Sequence, residues 1–137
     1  MQRCLLAEFI GIFMLVFTGT GAVMVNSLTD LIPHISIAIT FGLIVVVLIY
    51  AVGHISGAHF NPAVMVVFLI CGDIDAITTI GYLSTQIAGA ILASSVLLGL
   101  FGNIAHLGAT LPSGHGSNHL CWNSFFLSLL CWSFRYQ

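Results

Sequence analysis

Between Leu31 and Gly72 the chain carries no Asp, Glu, Lys or Arg. As one helix at about 1.5 Å per residue, that run would reach roughly 60 Å, about twice the hydrocarbon core of a bilayer. It must therefore break. One polar cluster within it is able to break it: Gly53-His54-Ile55-Ser56-Gly57-Ala58-His59-Phe60-Asn61-Pro62-Ala63-Val64. Non-helical backbone at membrane depth persists only where it is buried in protein or lines a water-filled cavity. On those grounds the stretch predicts a pore or a binding site.

The membrane premise comes from composition. Of 137 residues, 59% are hydrophobic and 4% charged, none of them lysine, and mean hydropathy is +1.15. A soluble domain needs a charged, mixed surface that these residues cannot supply. The chain reads as an all-α integral membrane protein whose partner is the lipid bilayer. No basic patch is present to hold nucleic acid. Arg3 and Arg135 are too few to fix orientation by charge. Cys4, Cys71, Cys121 and Cys131 form no C-x-x-C pair and match no zinc spacing. They read as small apolar helix residues, with a Cys121–Cys131 bridge left open.

A first span is expected over about 4–25, with Glu8 inside it. A carboxylate there should face the protein interior and accept hydrogen bonds, the alternative being that it reaches the interface. A second span is expected over about 35–52. After the polar stretch, about 62–71 is apolar but only about 15 Å long as a helix, half a bilayer. Asn61 suits an N-cap and Pro62 the first helical position. The expectation is a re-entrant half-helix that starts near mid-membrane and returns to the surface it left, with Asp73 and Asp75 marking the solvated boundary. A third span over about 76–101 carries Gln86 near its middle. An unpaired amide is costly there. The non-helical loop is the expected partner and a neighbouring helix the alternative. Residues 103–120 read as a loop whose His106, His115 and His119 are solvated rather than metal-bound. The apolar run from Cys121 to Phe134 is too short to span.

The pattern Ser56-Gly57-x-His59-x-Asn61-Pro62-Ala63-Val64 resembles the signature of the major intrinsic protein family, the aquaporins and glycerol facilitators. Ala7-Glu8 with Gly11 and Phe13, and Gln86-Ile87-Ala88-Gly89-Ala90, are similar to further family motifs. The resemblance covers about Cys4 to Gly102. It implies an aquaporin-like helical bundle: the first of two inverted repeats over 1–102, with three transmembrane helices and a re-entrant half-helix, and an incomplete start of the second over 121–137. It implies that Asn61, Pro62 and Ala63 line a pore and that the Asn61 amide donates to a passing oxygen. Carbonyls of Gly57, Ala58 and His59 would form an acceptor ladder, and Glu8 and Gln86 would support the loop from behind. Phe41 would stand at a selectivity filter. Phenylalanine there resembles a water channel, where glycerol facilitators tend to carry tryptophan. An ordinary packing phenylalanine is the alternative. Met65 departs from the family's usual threonine.

The resemblance weakens after Asn123. Ser128 stands where the second repeat should carry an acid matching Glu8, and the second Asn-Pro-Ala is absent. A reading-frame shift near Ser128 is the expectation. With suitable synonymous codons, one inserted nucleotide restores both an acid and an apolar helix. A half-channel that pairs with a second copy is the rival. The expected function is passive passage of water or another small neutral solute across the cell membrane, with a homotetramer if the chain is complete. A non-conducting fragment is the alternative. A membrane enzyme built on Glu8, His54 and His59 is a more distant one, for which no metal or nucleophile set is visible. No cofactor is expected.

Overall fold

The computed structural model describes residues 1–104. Most of the loop expected at 103–120, with His106, His115 and His119, lies outside the described residues. So does the segment at 121–137, with Cys121, Ser128, Cys131 and Arg135. The order of elements is α1 (Gln2–Thr29), α2 (His34–Ser56), α3 (Pro62–Cys71) and α4 (Ala76–Phe101). No strand occurs among the described residues. Helices α1, α2 and α4 are long and apolar enough to cross a membrane, and α3 is not.

Helix ends follow local chemistry. The α2 helix continues through Gly53-His54-Ile55-Ser56, beyond the limit expected at about residue 52. Nothing in those four residues blocks its ladder, and the Gly57 N–H still donates to the Gly53 carbonyl at 2.9 Å. Gly57 then turns left-handed (φ 90°) and ends it. Asn61 caps α3, its Oδ1 accepting from the Ala63 N–H at 2.9 Å, and Pro62 occupies the first helical position. Gly72 (φ 78°) terminates α3, and Asp75 Oδ2 caps α4 by accepting from the Thr78 N–H at 3.1 Å. Between α1 and α2, Asn26 Oδ1 accepts from the Ile32 N–H at 3.1 Å and ties the short connection down.

The α1 helix packs against both α2 and α4, and α3 packs against α4. Close contacts give the register. Gly81 meets Leu5, Gly89 meets Phe9 to Phe13, and Gly21 meets Leu97, so α1 and α4 run parallel. A Cβ on Gly89 would lie 2.7 Å from the Phe9 carbonyl oxygen, which shows how closely the two backbones approach. Small residues permit such contact in lipid, where packing rather than water drives association. On the other side Cys4 meets Ile55 and Gly19 meets Phe41, so α1 and α2 are antiparallel.

This register positions the loop. The end of α2 lies level with the first turn of α1, and so does the start of α4. Phe60, between them in sequence, sits against Gly11. Its seat is about seven residues, or ~10 Å, farther along α1 than Cys4. The chain therefore leaves α2 at one face of the bundle, turns inward, and returns along the 10-residue α3 to the same face.

Candidate pore-lining site

The loop from Gly57 to Phe60 is built around Glu8, which is completely buried. Glu8 Oε1 accepts from Ser56 Oγ at 2.8 Å and from the His59 N–H at 2.9 Å. Glu8 Oε2 accepts from the Phe60 N–H and from Gln86 Nε2, both at 2.9 Å. Three of these four groups can only donate, and they occupy both oxygens. The arrangement is that of a carboxylate, with charge-assisted bonds to each side. One carboxylate thus joins α1, the end of α2, the loop and α4.

The loop needs such a holder because its backbone is unusual. Ala58 has φ 52° and Phe60 has φ 44°, both left-handed, next to Gly57 at 90°. Left-handed conformation costs an L-residue about 1–2 kcal/mol. It persists only where surrounding structure over-determines it. The Ala58 N–H also donates to Ser56 Oγ at 3.2 Å, and Tyr82 OH donates to the Ser56 carbonyl at 3.3 Å. With the His59 and Phe60 N–H groups fixed on Glu8, the loop's amides are committed inward.

The His59 ring lies between helices. It stands edge-on to Phe68 at 5.1 Å and tilted to Tyr82 at 5.6 Å. Its Nδ1 is 3.5 Å from Glu8 Oε1, without the alignment of a hydrogen bond. His54 is exposed on α2. Gln86 Oε1 is buried and has no hydrogen-bond partner among the described residues. No group of three metal-ligating side chains occurs among them either.

Glu8, Gln86, Gly57, Ala58, His59, Asn61, Pro62 and Ala63 therefore belong to one connected region. Phe41 is separate from it. It lies on α2 against Gly19, eight residues and about 12 Å along α1 from the Gly11 level. Its ring is half-buried. Sequence reasoning missed several contributors. Ser56 was within the recognised pattern but carried no assigned role. Tyr82 gave no signal at all. From the sequence alone Gly11 and Gly19 are only small residues suited to close helix packing, yet each leaves room for an aromatic ring: a Cβ on Gly11 would overlap Phe60, and one on Gly19 would overlap Phe41.

Comparison with known proteins adds a separate line of observation. The family model described as Major intrinsic protein matches residues 1–132. Aquaporin NIP1-3 of Oryza sativa subsp. japonica is 44% identical over 111 residues, which cover 80% of this chain and 39% of that protein. Nodulin-26 of Glycine max is 42% identical over 112 residues, covering 80% of this chain and 41% of its own length. Aquaporin Z of Photorhabdus laumondii is 42% identical over 120 residues, covering 86% of this chain and 52% of its own. The chain spans between 39% and 52% of the length of these relatives.

Proposed function

The chain belongs to the major intrinsic protein family, and from that premise we propose that it supplies one half of a pore passing water or another small neutral solute down its gradient. It is a multi-pass membrane protein, with the cell membrane as its proposed location. The observation that carries the reading is the Glu8-held loop delivering Asn61 to the inner end of α3. Capping turns Asn61 Oδ1 toward the helix, so its amide nitrogen is the end of the side chain that donates to a solute oxygen. The inward commitment of the His59 and Phe60 amides supports carbonyls of Gly57, Ala58 and His59 as an acceptor ladder on the opposite side of the backbone. A helix N-terminus carries roughly half a positive charge. At the start of α3 this disfavours protons and other cations while neutral solutes pass. Pro62 and Ala63 are exposed at this end and line the same passage.

Phe41 is proposed as a second, narrower point about 12 Å from the first, and residues 1–102 as a single repeat unit of the family bundle. The second half of the pore is supplied by further polypeptide or by another copy, and a homotetramer is the proposed assembly. Stopped-flow shrinkage of proteoliposomes tests conduction. Water flux above bare lipid that Asn61→Asp reduces or makes cation-leaky supports the reading. Absence of flux from the 137-residue chain assigns conduction to a longer assembly.

A further inference from the structure

The Phe41 ring lies directly on the α1 backbone at Gly19. A Cβ built on Gly19 would overlap Cε1 and Cζ of that ring and lie 2.6 Å from Cδ1. Gly19 is buried, whereas the ring is only half-buried. The ring is thus pressed against α1 on one side and open on another. Side-chain contacts below about 3 Å are not sustained, and the ring end is the movable partner, because α1 is locked at Gly89 and Gly21 by α4.

We propose that Gly19 is a specificity-determining residue that sets how far Phe41 projects into the solute path. The inference rests on the reading of Phe41 as pore-lining. With no Cβ at position 19, the ring retracts by the thickness of one carbon. Adding that carbon drives the ring toward its open side and narrows the passage without altering any solute-contacting group. One carbon in a fitted pocket discriminates ligands by about tenfold or more. Gly19 would therefore act on solute size through Phe41 alone.

The test uses the full 137-residue chain labelled with 4-fluorophenylalanine in lipid nanodiscs. The Phe41 resonance is assigned by its loss in Phe41→Leu. The H2O/D2O isotope shift of that fluorine reports whether water reaches the ring. The expected result is a shift in the native chain and a larger one in Gly19→Ala. No shift in either sinks both the pore-lining reading of Phe41 and this inference. A native shift unchanged by Gly19→Ala keeps the reading and overturns the inference. If Gly19→Ala fails to fold while Gly19→Ala/Phe41→Leu folds, the ring has no open path to move into and the inference falls. In proteoliposomes, Gly19→Ala should lower the glycerol-to-water flux ratio by about tenfold. The same change should do nothing in a Phe41→Ala background, and an additive effect there overturns the proposal. Absence of flux from every variant counts against conduction by this chain and leaves the fluorine shift to decide the role of Gly19.

Discussion

At the scale of single residues, Glu8 sets the cost of disrupting the site. Removing it strands the His59 and Phe60 amides and the Gln86 side chain, and the left-handed Ala58 and Phe60 lose the contacts that hold them. Each buried donor left without a partner costs about 1–3 kcal/mol, and three are stranded here. Glu8→Ala is expected to lower thermal stability in detergent on that scale. Glu8→Gln preserves shape but turns a donating NH2 toward other donors, so it should cost about 1–3 kcal/mol. A Glu8→Gln variant as unstable as Glu8→Ala would mean that shape rather than hydrogen bonding holds the loop. Gly11 offers a second point of attack. Because a Cβ there overlaps the Phe60 ring, Gly11→Ala should destabilise by about 1–3 kcal/mol. Gly11→Ala/Phe60→Ala should recover part of the clash but lose the ring's burial. Unfolding midpoints of Gly11→Ala, Phe60→Ala and the double variant measure the coupling.

At the scale of elements, the short α3 depends on its ends. Asn61 both caps the helix and presents its amide, and substitutions separate the two roles. Asn61→Ser keeps a capping oxygen, whereas Asn61→Ala loses it and should cost about 1 kcal/mol more. Both lose the amide donor. If Asn61→Ser conducts as the native chain does, the amide is not the solute contact. Asp75 makes a comparable test for α4. The Thr78 side chain and backbone hydrogen-bond its carboxylate and hold its pKa below the ordinary aspartate value. A depressed folded pKa stabilises above the unfolded value, about 3.9, and that contribution is lost as pH falls through the folded one. Helix stability should therefore fall in that acid window, and Asp75→Asn should flatten this part of the pH profile. A profile unchanged by Asp75→Asn would remove the cap from the account. The Asn61 cap was readable in the sequence because Asn-Pro acts through neighbours in the chain, whereas Asp75 read only as a marker of the solvated boundary and its capping of α4 was not readable. The extra turn of α2 was not, because Gly53 and Ser56 signal a break without fixing which of them makes it. The Tyr82 contact to Ser56 bridges 26 residues, and only the α1–α4 register brings the two together.

At the scale of the whole molecule, the site closes within residues 4–86, drawing on all three long helices. The His59 and Phe60 amides should then exchange with solvent as slowly as helix amides, although both residues lie in a loop. Hydrogen exchange in nanodiscs measures this, and exchange at exposed-loop rates would show that the loop samples other arrangements without the rest of the bundle. All-helical membrane architecture was legible from hydropathy alone, since one apolar segment in lipid has no other spanning form. The roles of Gly11 and Gly19 were not, because a glycine's meaning lies in what fills its space. Those two notches sit eight residues apart on one helix and receive rings from two different segments. Each residue added to a helix rotates the later turns by about 100° and advances them about 1.5 Å. A one-residue insertion or deletion between the notches would swing Gly19 off the Phe41 ring while Gly11 kept its hold on Phe60. The number of residues separating the notches is thus fixed by the two rings they receive.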